Sequence, residues 1–127
     1  MNMTIQDAKR IIWANENCCD ESFIFFLHEK DSFSKEGFWK FYKSIVALVE
    51  CNDEKTLELT EQINDIYQTF LKYIAFHFDP HNLSSIKDLP DNYVDYLERL
   101  DYALMAYYRG NPRLVEKDDI FELPMDS

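Results

Sequence analysis

The sequence predicts an all-α protein, a compact antiparallel bundle of four to five helices with a short C-terminal tail. Three observations carry that expectation. Only two glycines and four prolines occur in 127 residues, too few for the tight turns of a hairpin-built protein. Long stretches repeat apolar residues three and four apart, the period of a helix. Ser, Thr or Asp precedes these stretches, where a side-chain oxygen can cap a helix N-terminus.

The first helix opens at Thr4, which forms a capping box with Asp7 in place of the usual Glu, and runs to about residue 15. Ile5, Ala8, Ile12 and Asn15 share one side of it. Asp20 is placed to cap the next segment, ESFIFFLHEK. Its apolar run 23–27 fits a buried strand or a buried helix by period, and the lack of a partner strand nearby favours helix. Ser34 caps KEGFWKFYKSIVALVE. Phe38, Phe41, Tyr42, Ile45, Leu48 and Val49 give that segment a broad apolar face, widened by Trp39 and Val46.

After the turn CND, Asp53 is expected to cap the longest helix, from residue 54 to about 77. Its core stripe is Leu59, Ile63, Ile66, Phe70 and Ile74, with Tyr67 and Leu71 alongside. Asp79-Pro80 ends it, because the residue before a proline is steered away from helical dihedrals. HNLSSIKDL reads as a loop with room for one helical turn. Pro90 or Asp91 starts the last long helix, and Gly110 followed by Asn111-Pro112 stops it. Residues 1–127 form one domain, and neighbours joined by short loops are expected to lie side by side. Residues 111–127 are an acidic, loosely held tail that either packs through Ile120, Phe121 and Leu123 or frays.

Composition narrows the function. At 46% apolar and 16% aromatic, the chain has material for a core and is not a disordered polyelectrolyte. Its 24 acids and 13 bases leave a net charge of −11. That surface repels phosphate backbones and anionic membranes, so no direct nucleic-acid or membrane partner is expected. It attracts basic proteins and speeds encounter with them. Lys30, Lys35, Lys40 and Lys43 fall close together, but Glu29, Asp31 and Glu36 dilute them. No apolar run is long enough to span a membrane, and MNMTIQDAKR lacks the order of a signal peptide, so the expected location is cytoplasmic. Three cysteines, Cys18, Cys19 and Cys51, suit a reduced compartment better than a disulfide framework.

Catalytic signatures are missing, so neither enzyme activity nor a cofactor is expected. Two glycines, Gly37 and Gly110, cannot make a phosphate-binding loop. His-Glu-x-x-His, Glu-x-x-His and Cys-x-x-Cys do not occur. HFDPH places His77, Asp79 and His81 within five residues, but Pro80 parts the histidines, and His77 suits a helix C-terminus in its own right. Cys18-Cys19 is followed by Asp20 and Glu21, the wrong charge for stabilising a thiolate. Nothing in the spacing favours Cys51 with His28 as nucleophile and base.

Two acidic stripes remain. Glu54, Glu58, Glu61 and Asp65 recur at steps of four, three and four. Asp91, Asp95, Glu98 and Tyr102 repeat the same steps, and each set stacks on one helix face opposite the apolar one. A solvated face has that appearance. Against the plain reading, like charges four apart cost a helix a few tenths of a kcal/mol per pair, and a face built only for stability would interleave lysines. Tyr102 also extends its stripe with a ring suited to anchoring an interface, with Met105 beside it and Tyr108 at the helix end. These eight residues are the candidate site for a basic protein partner.

ELTEQIND, DNYVDYLERLDY and the tail EKDDIFELPMD, in a compact helical chain, resemble the small acidic immunity proteins of contact-dependent inhibition and related polymorphic toxin systems. Colicin-type DNase immunity proteins are similar in style, with acids and tyrosines on helices facing a nuclease. The resemblance spans the whole chain in kind. The paired tyrosines that those proteins carry on a short helix have no counterpart here, so no contact residue is carried over. The resemblance implies a tight stoichiometric inhibitor of a cytotoxic enzyme, often a nuclease, covering its active site or an adjacent exosite with carboxylates in place of phosphates. The alternative is a non-catalytic helical adaptor, regulatory subunit or chaperone that uses an apolar groove and exposed aromatics such as Trp39.

Overall fold

The computed structural model describes residues 3–127. Helices make up the regular structure, and no strand occurs among the described residues. The order is α1 Ile5–Glu16, α2 Phe23–Glu29, α3 Lys35–Ala47, α4 Leu57–Phe78, α5 Tyr93–Arg109 and the single turn α6 Arg113–Glu116. One 3-10 turn, Asn52–Glu54, precedes α4 and another, Asp118–Ile120, follows α6. The segment at 23–27 is helical, as the missing partner strand implied.

Side-chain oxygens set the helix starts. Thr4 Oγ1 accepts the Asp7 amide at 3.0 Å, and Ser34 Oγ accepts the Gly37 amide at 3.0 Å. Two expected caps move. Ser22, not Asp20, caps α2, taking the Phe25 amide at 3.1 Å. Thr56, not Asp53, caps α4, taking the Leu59 amide at 3.1 Å. In each case a hydroxyl nearer the apolar run displaces an upstream carboxylate. Helix α5 begins at Tyr93, so Asp91 lies in the turn before it. Gly110 closes α5 in the left-handed conformation at φ 62°, and the Asn111 amide returns to the Ala106 carbonyl.

The four long helices form an up-down-up-down bundle. α1 packs on α3 and α4, and α3 packs on α5. Antiparallel α4 and α5 are stitched by Thr60 to Tyr107 (2.9 Å), Tyr108 to Asn64, and Tyr67 to Asp101. α1 and α4 run parallel: Lys9 meets Glu54 at one end and Glu16 meets Asp65 further along. Chain neighbours α3 and α4 therefore do not lie flank to flank as short loops suggest. They meet across the core, where the rings of Phe38 and Phe70 stand 6.5 Å apart. Lys55, in the intervening connection, donates to the carbonyls of Val49 (2.5 Å) and Tyr107 (2.8 Å), tying together the C-terminal ends of α3 and α5.

The core is aromatic. Phe23, Phe33, Phe38, Phe70 and Tyr96 pack mainly edge to face with centroids 4.9 to 6.5 Å apart. α2 approaches α3 so closely that a β-carbon on Gly37 would stand 3.0 Å from the Phe23 backbone. Asn15, the one polar residue on the apolar side of α1, is buried with both ends used: Oδ1 accepts the Ile24 amide and Nδ2 donates to the Ile11 carbonyl.

The tail is packed rather than loose. Phe121 and Leu123 are buried, while Ile120 stays exposed. It runs back between α3 and α5 and ends with the Ser127 carbonyl accepting from Trp39 Nε1 (3.1 Å) and the Tyr96 hydroxyl (3.0 Å). Trp39 lies buried beneath it and is unavailable to a partner, contrary to the adaptor expectation.

Candidate functional site: the acidic faces of α4 and α5

α4 holds its core stripe Leu59, Ile63, Ile66, Phe70 and Ile74 inward. Thr60, Asn64 and Tyr67 border that stripe on the α5 side. Glu58, Glu61 and Asp65 fall on the exposed ridge beyond, as the spacing predicts. Glu54 does not continue them. It sits in the 3-10 turn before the helix and is bonded to Lys9 at 2.7 Å, because the helix starts at Leu57. The ridge borders α1: Glu58 lines a groove of about 570 Å³ with Gln6, Lys9, Arg10 and Trp13. Burial, then the repulsion and shared hydrogen bond of Asp65, raises the Glu16 carboxyl above its ordinary value.

On α5, Glu98 is exposed and Asp95 half-buried, while Asp91 is exposed in the preceding turn. Tyr102 is half-buried because the Phe121 ring meets it edge-on at 5.2 Å. The expected aromatic anchor is thus partly claimed by the tail. The two stripes lie on different flanks of the α4/α5 pair, one bordering α1 and the other the tail.

The distribution of cations decides the electrostatics. Ion pairs among the described residues join Lys9–Glu54, Arg10–Asp7, Lys40–Glu36, Lys43–Asp126, Arg99–Asp118 and, when protonated, His28–Glu29. None involves Glu58, Glu61, Asp65, Asp91, Asp95 or Glu98. From residue 91 to 101 the one cation is Arg99, and it points inward.

Arg99 is the residue that sequence reasoning missed. Its side chain is 0% exposed. Nε and Nη2 donate to the Leu123 carbonyl at 3.0 and 2.7 Å, Nη1 to the Tyr42 hydroxyl at 3.0 Å, and Nη2 also to Asp118. The Phe121 ring covers the guanidinium at 4.0 Å. Its spacing carried the signal, since Arg99 follows buried Tyr96 by three and precedes buried Ala103 by four, inside the apolar stripe.

The remaining chemical candidates are accounted for by local roles. His77 Nδ1 accepts the Ile86 amide at 2.9 Å, and Asp79 accepts the His81 amide at 2.9 Å. No group of three or more His, Cys, Asp or Glu among the described residues is placed to hold a metal ion. Burial, reinforced by Glu29, Cys19 and Asp20, pushes the Cys18 thiol up, away from thiolate reactivity. No helix among the described residues is long and apolar enough to cross a membrane.

Fold and site together define a class, an up-down helical bundle strapped by its own tail and bearing carboxylates on two adjoining helices. No family model, curated protein or solved structure matches the chain.

Proposed function

We propose that this protein is an immunity-type inhibitor that binds and neutralises a basic toxin domain, a nuclease in the leading case, through the exposed carboxylates of α4 and α5. The observation that carries the reading is the alignment of Glu58, Glu61 and Asp65 on α4, and of Asp91, Asp95 and Glu98 at the start of α5, in two stripes that enter no ion pair among the described residues. Unpaired carboxylates on rigid helices repel each other in the free protein, and a basic surface relieves that repulsion on binding. Inhibition would be steric and electrostatic, with carboxylates occupying positions where a nuclease holds phosphates.

The test is capture from the native cell at low salt, followed by charge reversal. One stoichiometric basic partner is expected, with affinity reduced at least about tenfold by Asp95→Lys with Glu98→Lys and an association rate that falls steeply with salt. A partner whose affinity ignores both reversals and the matching ones at Glu58 and Glu61 would refute the acidic faces as the contact.

A second reading, a helical adaptor, regulatory subunit or chaperone, is favoured by Trp13. That ring is 54% exposed and lines the α1/α4 groove. Such a partner would tolerate salt and depend on Trp13.

A further inference from the structure

The seam between α4 and α5 changes character along its length. Its lower part is closed by the hydrogen bonds of Thr60, Asn64 and Tyr67 to Tyr107, Tyr108 and Asp101. Above Tyr67 no side-chain hydrogen bond crosses between the two helices among the described residues. Leu71 stands one turn beyond Tyr67 and Phe78 three turns beyond, on the same face of α4. On α5, Leu97 and Val94 stand one and two turns before Asp101, facing them. The Phe78 ring lies 5.4 Å from that of Tyr93, which places it against the start of α5. Yet Leu71 is 37% exposed, and Phe78 and Val94 are each 56% exposed. Apolar side chains from two antiparallel helices thus stand exposed along the upper seam.

The α5 margin of this seam is acidic where Glu98 and Asp101 flank Val94, while Asp95 lies on the flank toward the tail. Asp91, Asp95, Glu98 and Asp101 all fall on the first part of α5 or the turn before it, and none belongs to an ion pair. The single arginine in that stretch, Arg99, is buried against the tail. With acids on its α5 margin and exposed Lys72 as the cation on the α4 wall, this apolar seam complements an amphipathic helix whose apolar stripe is flanked by lysine or arginine on the side that meets α5.

We propose that the upper α4/α5 seam, from Leu71 to Phe78 on one wall and Val94 to Asp101 on the other, docks a basic amphipathic helix of the partner. The proposal rests on the inhibitor reading and deepens it, by placing the anchor at Phe78 and Val94 rather than at Tyr102. The seam supplies burial and the carboxylate margin supplies orientation and selectivity.

The test uses the full chain and a synthetic peptide of about 14 residues, roughly 21 Å long as a helix, with leucines on one face and lysines beside them. One control peptide replaces leucine by glutamine, and a second replaces lysine by glutamate. Titration calorimetry and amide chemical-shift mapping read binding, and thermal denaturation checks that variants fold. The Leu/Lys peptide is expected to bind with shifts centred on residues 71–78 and 91–98, and both controls to bind at least about tenfold more weakly. Phe78→Ser with Val94→Gln is expected to weaken it by a similar factor while the protein stays folded, with a lowered Tm from the lost Phe78–Tyr93 contact.

Equal binding of the leucine-free control would show charge attraction alone and overturn the apolar seam. Binding that shifts Trp13 emission and ignores Phe78→Ser would place the contact at the α1/α4 groove, overturning the seam while leaving a basic partner in place. Concentration-dependent self-association abolished by Val94→Gln would overturn the partner helix and make the seam an interface between copies of this chain. Loss of all peptide binding would refute the seam as a helix-binding surface. A captured native partner that answers to charge reversal but not to Phe78→Ser would separate failure of this inference from failure of the inhibitor reading.

Discussion

A guanidinium with no exposed surface is stable only when its donors are occupied, and Arg99 meets that condition through Leu123, Tyr42 and Asp118. Truncating it strands the Tyr42 hydroxyl, unroofs Phe121 and frees the tail. Arg99→Ala is expected to cost about 3 kcal/mol in urea denaturation, from lost charge-assisted bonds plus a cavity. Arg99→Lys should recover little, because an ammonium cannot span the same three partners as a planar fork. Two carboxylates give opposite responses to pH. The Arg99 bond holds Asp118 below its ordinary value. Its charge therefore adds stability that is present above the unfolded value and lost as pH falls through the folded one. The gap between wild type and Asp118→Asn should close below about pH 4. Glu16 is raised, by burial first and Asp65 second, so its charge works against the fold at neutral pH. Glu16→Gln is expected to raise the urea midpoint at pH 7, with the gain fading in acid as the wild-type carboxyl takes up its proton.

At the scale of the element, helix starts are where residue pattern and structure differ most. The apolar periods of α3 and α4 emerge intact: every residue of the stripes Phe38–Val49 and Leu59–Ile74 named from spacing is buried, apart from half-buried Val46 and Tyr67 and the partly exposed Leu71. Periodicity survives because burying one apolar face contributes more to a helix's stability in the fold than its caps or its intrinsic propensity. Caps are decided by smaller energies and by which oxygen reaches the free amides, so Asp20 and Asp53 yielded to Ser22 and Thr56. Thr56→Ala should cost about 1 kcal/mol, whereas Asp53→Ala should stay within about 0.5 kcal/mol. Chemical denaturation of the pair distinguishes the two starts of α4. The shift also explains why Glu54 left the stripe: with the helix beginning at Leu57, the residue turns toward Lys9.

For the whole molecule, the charge of −11 is divided unevenly. The paired cations sit on α1, on α3 and, through Arg99, against the tail, while Lys72 and Arg109 are the exposed cations of α4 and α5, so acid there is concentrated in the two stripes. Self-repulsion within those stripes should make the free protein more stable as salt screens it, by a few degrees in Tm between low ionic strength and about 0.5 M. Binding to a basic partner should respond in the opposite sense and weaken over the same range. A Tm that falls with salt would show that the surface pairs outweigh the unpaired stripe.

The helical class, the core stripes and the excess of acid on α4 and α5 are properties of residue order, because period and composition act locally and survive any arrangement of the helices. Arg99 was visible in its stripe as an arginine at a core position, but its meaning required a segment some 20 residues downstream to fold back over it. Likewise, Tyr102 reads as an exposed anchor until Phe121 covers it, and Phe78 reads as a helix end until Tyr93 comes alongside. Such assignments depend on which surfaces meet after the chain reverses, and helical spacing holds no information about contacts between distant segments. Sequence determined which faces are apolar and which acidic; tertiary packing decided which of those faces remain open.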